Sequence, residues 1–303
     1  MAKVKSTKVR EPLGDRVLHA FTTFFMIFVL LVVGYPLIYC ISCSFSSATA
    51  LSQSKVMLLP VEFSLAGYEF VLEYEQLWIG YRNTIFYTIA HTVAGVVAQI
   101  MIAYPLSKRY YQGRGLFTKL LVIAMLTSAG LVPSFLLNLW LGLNNTVLII
   151  IFGGICSISN ILILRTSFKS SIPEDLFDAA KIDGASDFRQ LTTVAVPLAK
   201  ATISVIMLYT AVGQWNSYFS ALIYLANRAD LWPLQLVVRN IMNSAASLDT
   251  SQLGSAAQAA MEASSFDQVR YCIIVIVTAP LLAMYLVAQR FFEKGVMIGS
   301  VKG

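Results

Sequence analysis

Apolar residues gather into six long runs, 17–41, 83–106, 116–141, 146–164, 198–225 and 270–292, parted by polar segments. Each comes close to or exceeds the roughly twenty residues a helix needs to cross a hydrocarbon layer about 30 Å thick. The pattern predicts an all-α integral membrane domain of six transmembrane helices over 17–292, with tails at 1–16 and 293–303. The first run is too long for a signal-peptide core and lacks an obvious small-x-small cleavage site, so it reads as a span. Residues 42–82 are polar, carrying Glu62, Glu69, Glu73 and Glu75 against only Lys55 and Arg82, and suit short surface helices. Residues 142–145 form a Gly-Asn turn of the kind that joins antiparallel helices.

Between the fourth and fifth runs the pattern breaks. The stretch 174–197 holds five acids (Glu174, Asp175, Asp178, Asp183, Asp187) and the bases Lys181 and Arg189. Each acid would cost roughly 2.5 to 3.5 kcal/mol at the centre of a helix in lipid, so this segment lies outside the bilayer. Its chemistry predicts two short helices around a sharp turn. Ser171 can cap the first, with Glu174 three residues on and Pro173 in the first turn. Asp175 and Asp178 suit the positive end of that helix. Leu176, Ala179, Ala180 and Asp183 share a face, and Gly184 can take the left-handed conformation that closes the helix. Ser186 or Asp187 can cap the second helix, where Phe188, Leu191, Thr192 and Ala195 recur at helical spacing until Pro197.

Asp178-Ala179-Ala180, three residues, Gly184, nine residues, Val194, one residue and Val196-Pro197 resemble the EAA loop of ABC importer permeases. That loop reads Glu-Ala-Ala, three residues, Gly, nine residues, Ile, one residue, Leu-Pro. The spacing is complete, and Asp178, Val194 and Val196 depart from it in residue type while keeping charge or apolar character. The span lengths, the Pro-Leu after Trp232 and the ending from Phe291 to Gly295 and on to Val301-Lys302-Gly303 are similar to the MalG-like carbohydrate permeases. Within them the ending looks closest to the LplC and YtcP group. The resemblance implies a type I ABC importer permease fold whose loop, 171–197, is cytoplasmic and docks in a cleft on an ATP-hydrolysing subunit. It also implies a second, MalF-like permease, two ABC ATPase subunits and an extracytoplasmic solute-binding protein. Val301, Lys302 and Gly303 would insert between the ATPase subunits, as the MalG tail does.

Composition and charge agree with a membrane chain. Hydrophobic residues make up 57% and charged residues 13%, with a mean hydropathy of +0.70; a soluble domain carries about a quarter charged residues. With the N-terminus inside, the four inner segments hold 5, 4, 5 and 3 lysines and arginines, 17 of the 22 present, against 2, 0 and 3 outside. Positive residues favour the cytoplasmic side, which puts both termini and the 174–197 loop in the cytoplasm; the resemblance implies that the membrane is the plasma membrane of a bacterial cell. The net charge of +6 therefore expresses topology, since the bases sit at span ends and form no arginine-rich stripe for nucleic acid.

Catalytic and metal chemistry find no footing. Cys156 and Cys272 lie in apolar runs, Cys40-x-x-Cys43 at the end of the first run reads as packing, and His19 and His91 lack a ligand cluster. His91 reads as a buried hydrogen-bonding residue facing other helices. Inside the spans there are no paired aspartates, no Ser with a base and no His-Glu-x-x-His, and the chain has no phosphate-cradling glycine loop, so no enzyme is expected and ATP would be hydrolysed only by partner subunits.

Polar residues within spans are the guide to a translocation path. Gln99, Asn160, Gln214 and Asn216 qualify, with Tyr209, Trp215 and Tyr218 close by. Aromatic faces flanked by amides suit a sugar ring; the same residues equally suit hydrogen bonding between helices and an aromatic belt. Residues 243–265, rich in Ser, Ala and Gln, read as a weak helix or a mobile loop, and the resemblance implies that they face the binding protein. The chain is thus expected to be the permease subunit of an ATP-driven importer of a carbohydrate, of oligosaccharide size. A permease for a non-sugar solute is the alternative. An ion-coupled secondary transporter would want intramembrane charges, and no Asp, Glu or Lys lies deep in the six runs.

Overall fold

A computed structural model of the chain describes residues 12–127, 129–251 and 256–299. Most of the tail 1–16, and Val301, Lys302 and Gly303, lie outside them. The helices are α1 (Leu13–Ser44), α2 (Ala48–Ser52), α3 (Ala66–Glu73), α4 (Glu75–Ser107), α5 (Arg114–Leu126), α6 (Leu131–Trp140), α7 (Val147–Phe152) and α8 (Ile158–Ser170). They continue with α9 (Glu174–Ile182), α10 (Asp187–Gln190), a π turn (Leu191–Ala195), α11 (Val196–Leu198), α12 (Lys200–Trp215), α13 (Phe219–Tyr224), α14 (Leu234–Ser251) and α15 (Ala256–Gly299). Among the described residues the β structure is one isolated bridge, Ser46 to Phe63.

Among the described residues three helices are long and apolar enough to cross a membrane: α1, α4 and the part Phe266–Leu286 of α15. Counting α5 with α6, and the Asp187–Leu198 segment with α12, as bent single spans raises the number to five. The run 146–164, expected as one continuous helix, is instead divided into α7 and α8, neither long enough to cross alone. Gly154 takes φ +68 there, a left-handed conformation that ends a helix and that glycine adopts without steric cost. The run 198–225 is likewise interrupted, at residues 216–218 between α12 and α13. The segment 243–265, left open between helix and loop, is helical through Ser251 and again from Ala256.

The described residues divide into two compact units, one drawn from the ranges 1–71 and 248–275, the other from 72–247 and 276–303. In the first, the end of α1 is tied to the polar segment: Ser42 Oγ donates to the Leu58 carbonyl at 2.7 Å and Tyr68 OH to Ser44 Oγ at 2.8 Å. In the second, α4, α8 and α12 build the main core, with Tyr104, Leu164, Phe168 and Ile206 buried among them. A further cluster joins Tyr87, Ile150, Tyr224 and Leu236. The polar face of α4 holds the segment before α14: Asn83 Nδ2 donates to the Asp230 carbonyl at 2.8 Å, Tyr87 OH to the Leu231 carbonyl at 3.0 Å, and Thr84 Oγ1 accepts from Leu234 N at 2.8 Å.

Candidate functional site

The charged segment folds as two short helices around a glycine turn. Ala185 N donates to the Ala180 carbonyl and Gly184 N to the Lys181 carbonyl, the double closure of a Schellman ending, with Gly184 at φ +76. Ser186 is the cap of the second helix, its hydroxyl accepting from Arg189 N at 3.3 Å. The first helix starts differently from the expectation. Ser171 closes α8 in a right-handed conformation, Pro173 occupies the capping position, and no side chain caps α9. A proline confines the residue before it to extended conformations, so α8 and α9 cannot merge and the capping pair of Ser171 with Glu174 does not form. Gln190, which the sequence did not single out, is buried and donates Nε2 to the Ala185 carbonyl at 3.0 Å, fixing the turn from within.

One side of this segment belongs to the core. Leu191, Ala195 and Ala199 are buried with α4, α8 and α12, and Phe177, Val194 and Val196 pack against that cluster. The other side is open: Asp178, Ala179, Asp183, Gly184 and Pro197 are exposed and Ala180 and Val194 half-buried. Leu176, Ile182 and Phe188 are exposed apolar residues on the same segment. Of the face expected for Leu176, Ala179, Ala180 and Asp183, Leu176, Ala179 and Asp183 are exposed while Ala180 is half-buried. Beyond Pro197 the chain turns by 82° into α12.

The turn after α4 braces the segment. Arg109 Nε stands 2.9 Å from Glu174 Oε1, and Tyr110 OH donates to Asp187 Oδ1 at 2.8 Å. Lys108 is only 7% exposed, its Nζ lying over the rings of Phe177 and Tyr104 at 2.7 and 4.8 Å from their centroids. Burial lowers its pKa to about 8, although Asp187, Glu174 and Asp178 pull the other way. Burial, then the bond to Asp187, pushes Tyr110 up to about 12. In sequence these residues read only as a basic turn, since their partners lie more than sixty positions on.

The five residues read as a candidate substrate path separate into two groups. Trp215 is buried and donates Nε1 to the Val277 carbonyl at 3.3 Å, and Gln214 donates to the Ile150 carbonyl at 3.5 Å. Both serve packing between helices. Tyr209, Asn216 and Tyr218 are exposed, and Tyr209 and Asn216, seven residues apart, share one side of α12. The interrupted α7–α8 segment gathers the other polar side chains: His91 Nδ1 lies 2.7 Å from the Ile151 carbonyl and Gln99 Nε2 2.9 Å from that of Ile155. These side chains supply partners to carbonyls at a place where the helix ladder is broken.

No family model matches the chain. Protein LplC of Bacillus subtilis (strain 168) is 35% identical over 268 residues, 88% of this chain and 89% of LplC. The polygalacturonan/rhamnogalacturonan transport system permease protein YtcP of the same organism is 31% identical over 297 residues, 97% of this chain and 100% of YtcP. A crystal structure of a bacterial ABC transporter involved in the import of the acidic polysaccharide alginate contains a chain that superposes with a TM-score of 0.82 at 32% identity, covering 94% of this chain and 100% of that one. The chain belongs to the permeases of ABC transport systems. This permease is thus an integral membrane transport protein and not an enzyme, with the helical architecture of an ABC importer permease. The charged segment of the permease runs into α12 at Lys200, and Tyr218 follows the other end of that helix, so the two candidate regions stand at opposite ends of one rod.

Proposed function

We propose that this permease is one of two membrane subunits of an importer that carries a carbohydrate of oligosaccharide size inward, driven by ATP hydrolysed on two partner subunits. The single observation behind this is the full-length match to a permease for polygalacturonan and rhamnogalacturonan. The chain would span the membrane six times, with the interrupted pairs α5–α6 and α7–α8 and the segment α12–α13 each making one crossing. Both termini and the 174–197 segment would be cytoplasmic, on the strength of 17 of 22 basic residues falling in the inner segments.

In this reading the segment is the coupling element. Its exposed Leu176, Ile182 and Phe188, flanked by exposed acids, give it an apolar and charged surface suited to a cleft on an ATPase subunit. Its buried half and the brace from Lys108, Arg109 and Tyr110 tie it to the helix core, so that movement of the knob reaches α4 and α12. Val301, Lys302 and Gly303 would make a second contact with the ATPase subunits, and deleting them is expected to lower transport or its regulation while leaving the membrane level unchanged.

The test is reconstitution. Vesicles holding this permease, its partner permease and two ATPase subunits, with the binding protein added outside, should accumulate oligosaccharide only when ATP is inside. Accumulation without ATP, or without the binding protein, would contradict the proposal.

A further inference from the structure

Asn216, Tyr218, Gln235 and Arg239 meet at the end of α12 remote from the charged segment. α12 has 16 residues, which at about 1.5 Å each carries it roughly 24 Å, most of the way across a hydrocarbon layer of about 30 Å. Gln235 and Arg239 are four positions apart on α14 and share a face. Gln235 Nε2 donates to Asn216 Oδ1 at 3.4 Å, and the Arg239 guanidinium carbon stands 5.2 Å from the centre of the Tyr218 ring. Arg239 is half-buried, and among the described residues its charge has no carboxylate partner. From Asn216 the open side of α12 continues back through Gly213, where an added Cβ would meet nothing within 4 Å, to the exposed Tyr209. A cation with no carboxylate partner among the described residues thus stands over an aromatic face at the head of a strip made of an amide, bare backbone and a second ring.

We propose that this cluster binds the carboxylate of an acidic sugar residue in the incoming oligosaccharide, with Arg239 as the residue that selects for charge. The inference rests on the reading of the chain as a carbohydrate permease. A guanidinium presents two parallel donors to a carboxylate and stays charged at every working pH. Tyr218 offers a face to the C–H side of a sugar ring, while the amides of Asn216 and Gln235 can exchange hydrogen bonds with its hydroxyls. A neutral sugar in the same place would shield the guanidinium from water without pairing it, which disfavours it against a uronate. Arginine facing hydrocarbon would be costly, so this side of α14 faces a water-filled mouth or a polar partner.

The experiment uses the complete importer in vesicles, comparing wild type with Arg239→Gln and Arg239→Lys. Three quantities are read: ATP-driven uptake of a galacturonic or mannuronic acid trimer, uptake of neutral raffinose, and ATPase stimulation by the binding protein. Loss of a charge-assisted pair predicts that Arg239→Gln lowers uronate uptake by roughly tenfold or more. Arg239→Lys should retain an intermediate rate, and both variants should keep subunit assembly and stimulated ATPase activity. Equal uronate uptake by wild type and Arg239→Gln overturns the inference, as does a parallel loss of ATPase stimulation, which would make Arg239 a contact to a partner protein. Wild-type uptake of raffinose but of neither uronate would also overturn it while leaving the carbohydrate reading intact. Uptake of no oligosaccharide at all would remove that reading itself.

Discussion

Tyr110 donates its hydroxyl to Asp187 Oδ1 at 2.8 Å, joining the turn after α4 to the second helix of the charged segment. Beside it Arg109 pairs with Glu174 on the first helix. That ion pair is exposed and contributes at most about 1 kcal/mol. The buried Lys108, wedged over Phe177, is the stronger constraint, because filling that space excludes water as well as placing a charge.

This brace predicts a pH dependence. Lys108 has its folded pKa lowered from 10.5 to about 8, so above pH 8 the unfolded chain binds more protons than the folded one and stability rises with pH. Tyr110 works in the opposite direction higher up: its pKa is raised from 10.0 to about 12, so stability falls again as the unfolded tyrosine ionises first. The thermal midpoint of the detergent-solubilised permease should climb between pH 8 and pH 10 and decline beyond. Lys108→Met should flatten the climb and Tyr110→Phe should soften the decline. An unchanged profile in both variants would show that the brace does not form.

The interrupted α7–α8 segment predicts an ordering of two substitutions. His91→Phe leaves the Ile151 carbonyl unpaired in a buried place, at a cost of about 1 to 3 kcal/mol. Gln99→Leu strips the Ile155 carbonyl too, but it also removes the Gln99 Oε1, which is itself buried without a partner. His91→Phe should therefore lower the thermal midpoint more than Gln99→Leu. The reverse order would mean that these side chains do not sustain the break.

Some of this was legible in the residues and some was not. Gly184 announced its turn because few other residues adopt positive φ at a helix end, and Ser186 announced its cap because little competes for its hydroxyl there. Ser171 misled, since a cap signal two residues before a proline serves equally well as the end of the preceding helix. The interruptions at Gly153-Gly154 and 216–218 stayed hidden because apolar length counts the same whether the helix continues or not. Gln214 and Trp215 looked like path residues by type, yet their partners, Ile150 and Val277, are more than sixty positions away. Arg239 was passed over as one of the few outer bases, and only the return of α14 alongside Tyr218 gives it a setting.

Orientation has its own test. In a variant lacking the four native cysteines, a cysteine at Ser255 should react with an impermeant maleimide in intact cells or spheroplasts, whereas one at the exposed Gln112 should not. The opposite labelling would reverse the sidedness drawn from the 17 inner bases.

The coupling role of the charged segment is tested most directly by Gly184→Val beside Asp178→Ala. Gly184 sits at φ +76 with open space around it, so valine adds strain rather than a clash. That strain amounts to roughly 1 to 2 kcal/mol and is relieved by re-aiming α10 away from α9. The membrane helices, whose burial dominates stability, should still insert and fold. Asp178 is an exposed carboxylate past the first turn of α9, where the helix dipole has largely faded, so its removal should do less. With the complex purified by a tag on this permease, Gly184→Val should retain little ATPase subunit and show no substrate-stimulated hydrolysis, while Asp178→Ala keeps most of both. A full ATPase complement and normal stimulated turnover in Gly184→Val would contradict the assignment of residues 174–197 as the coupling element.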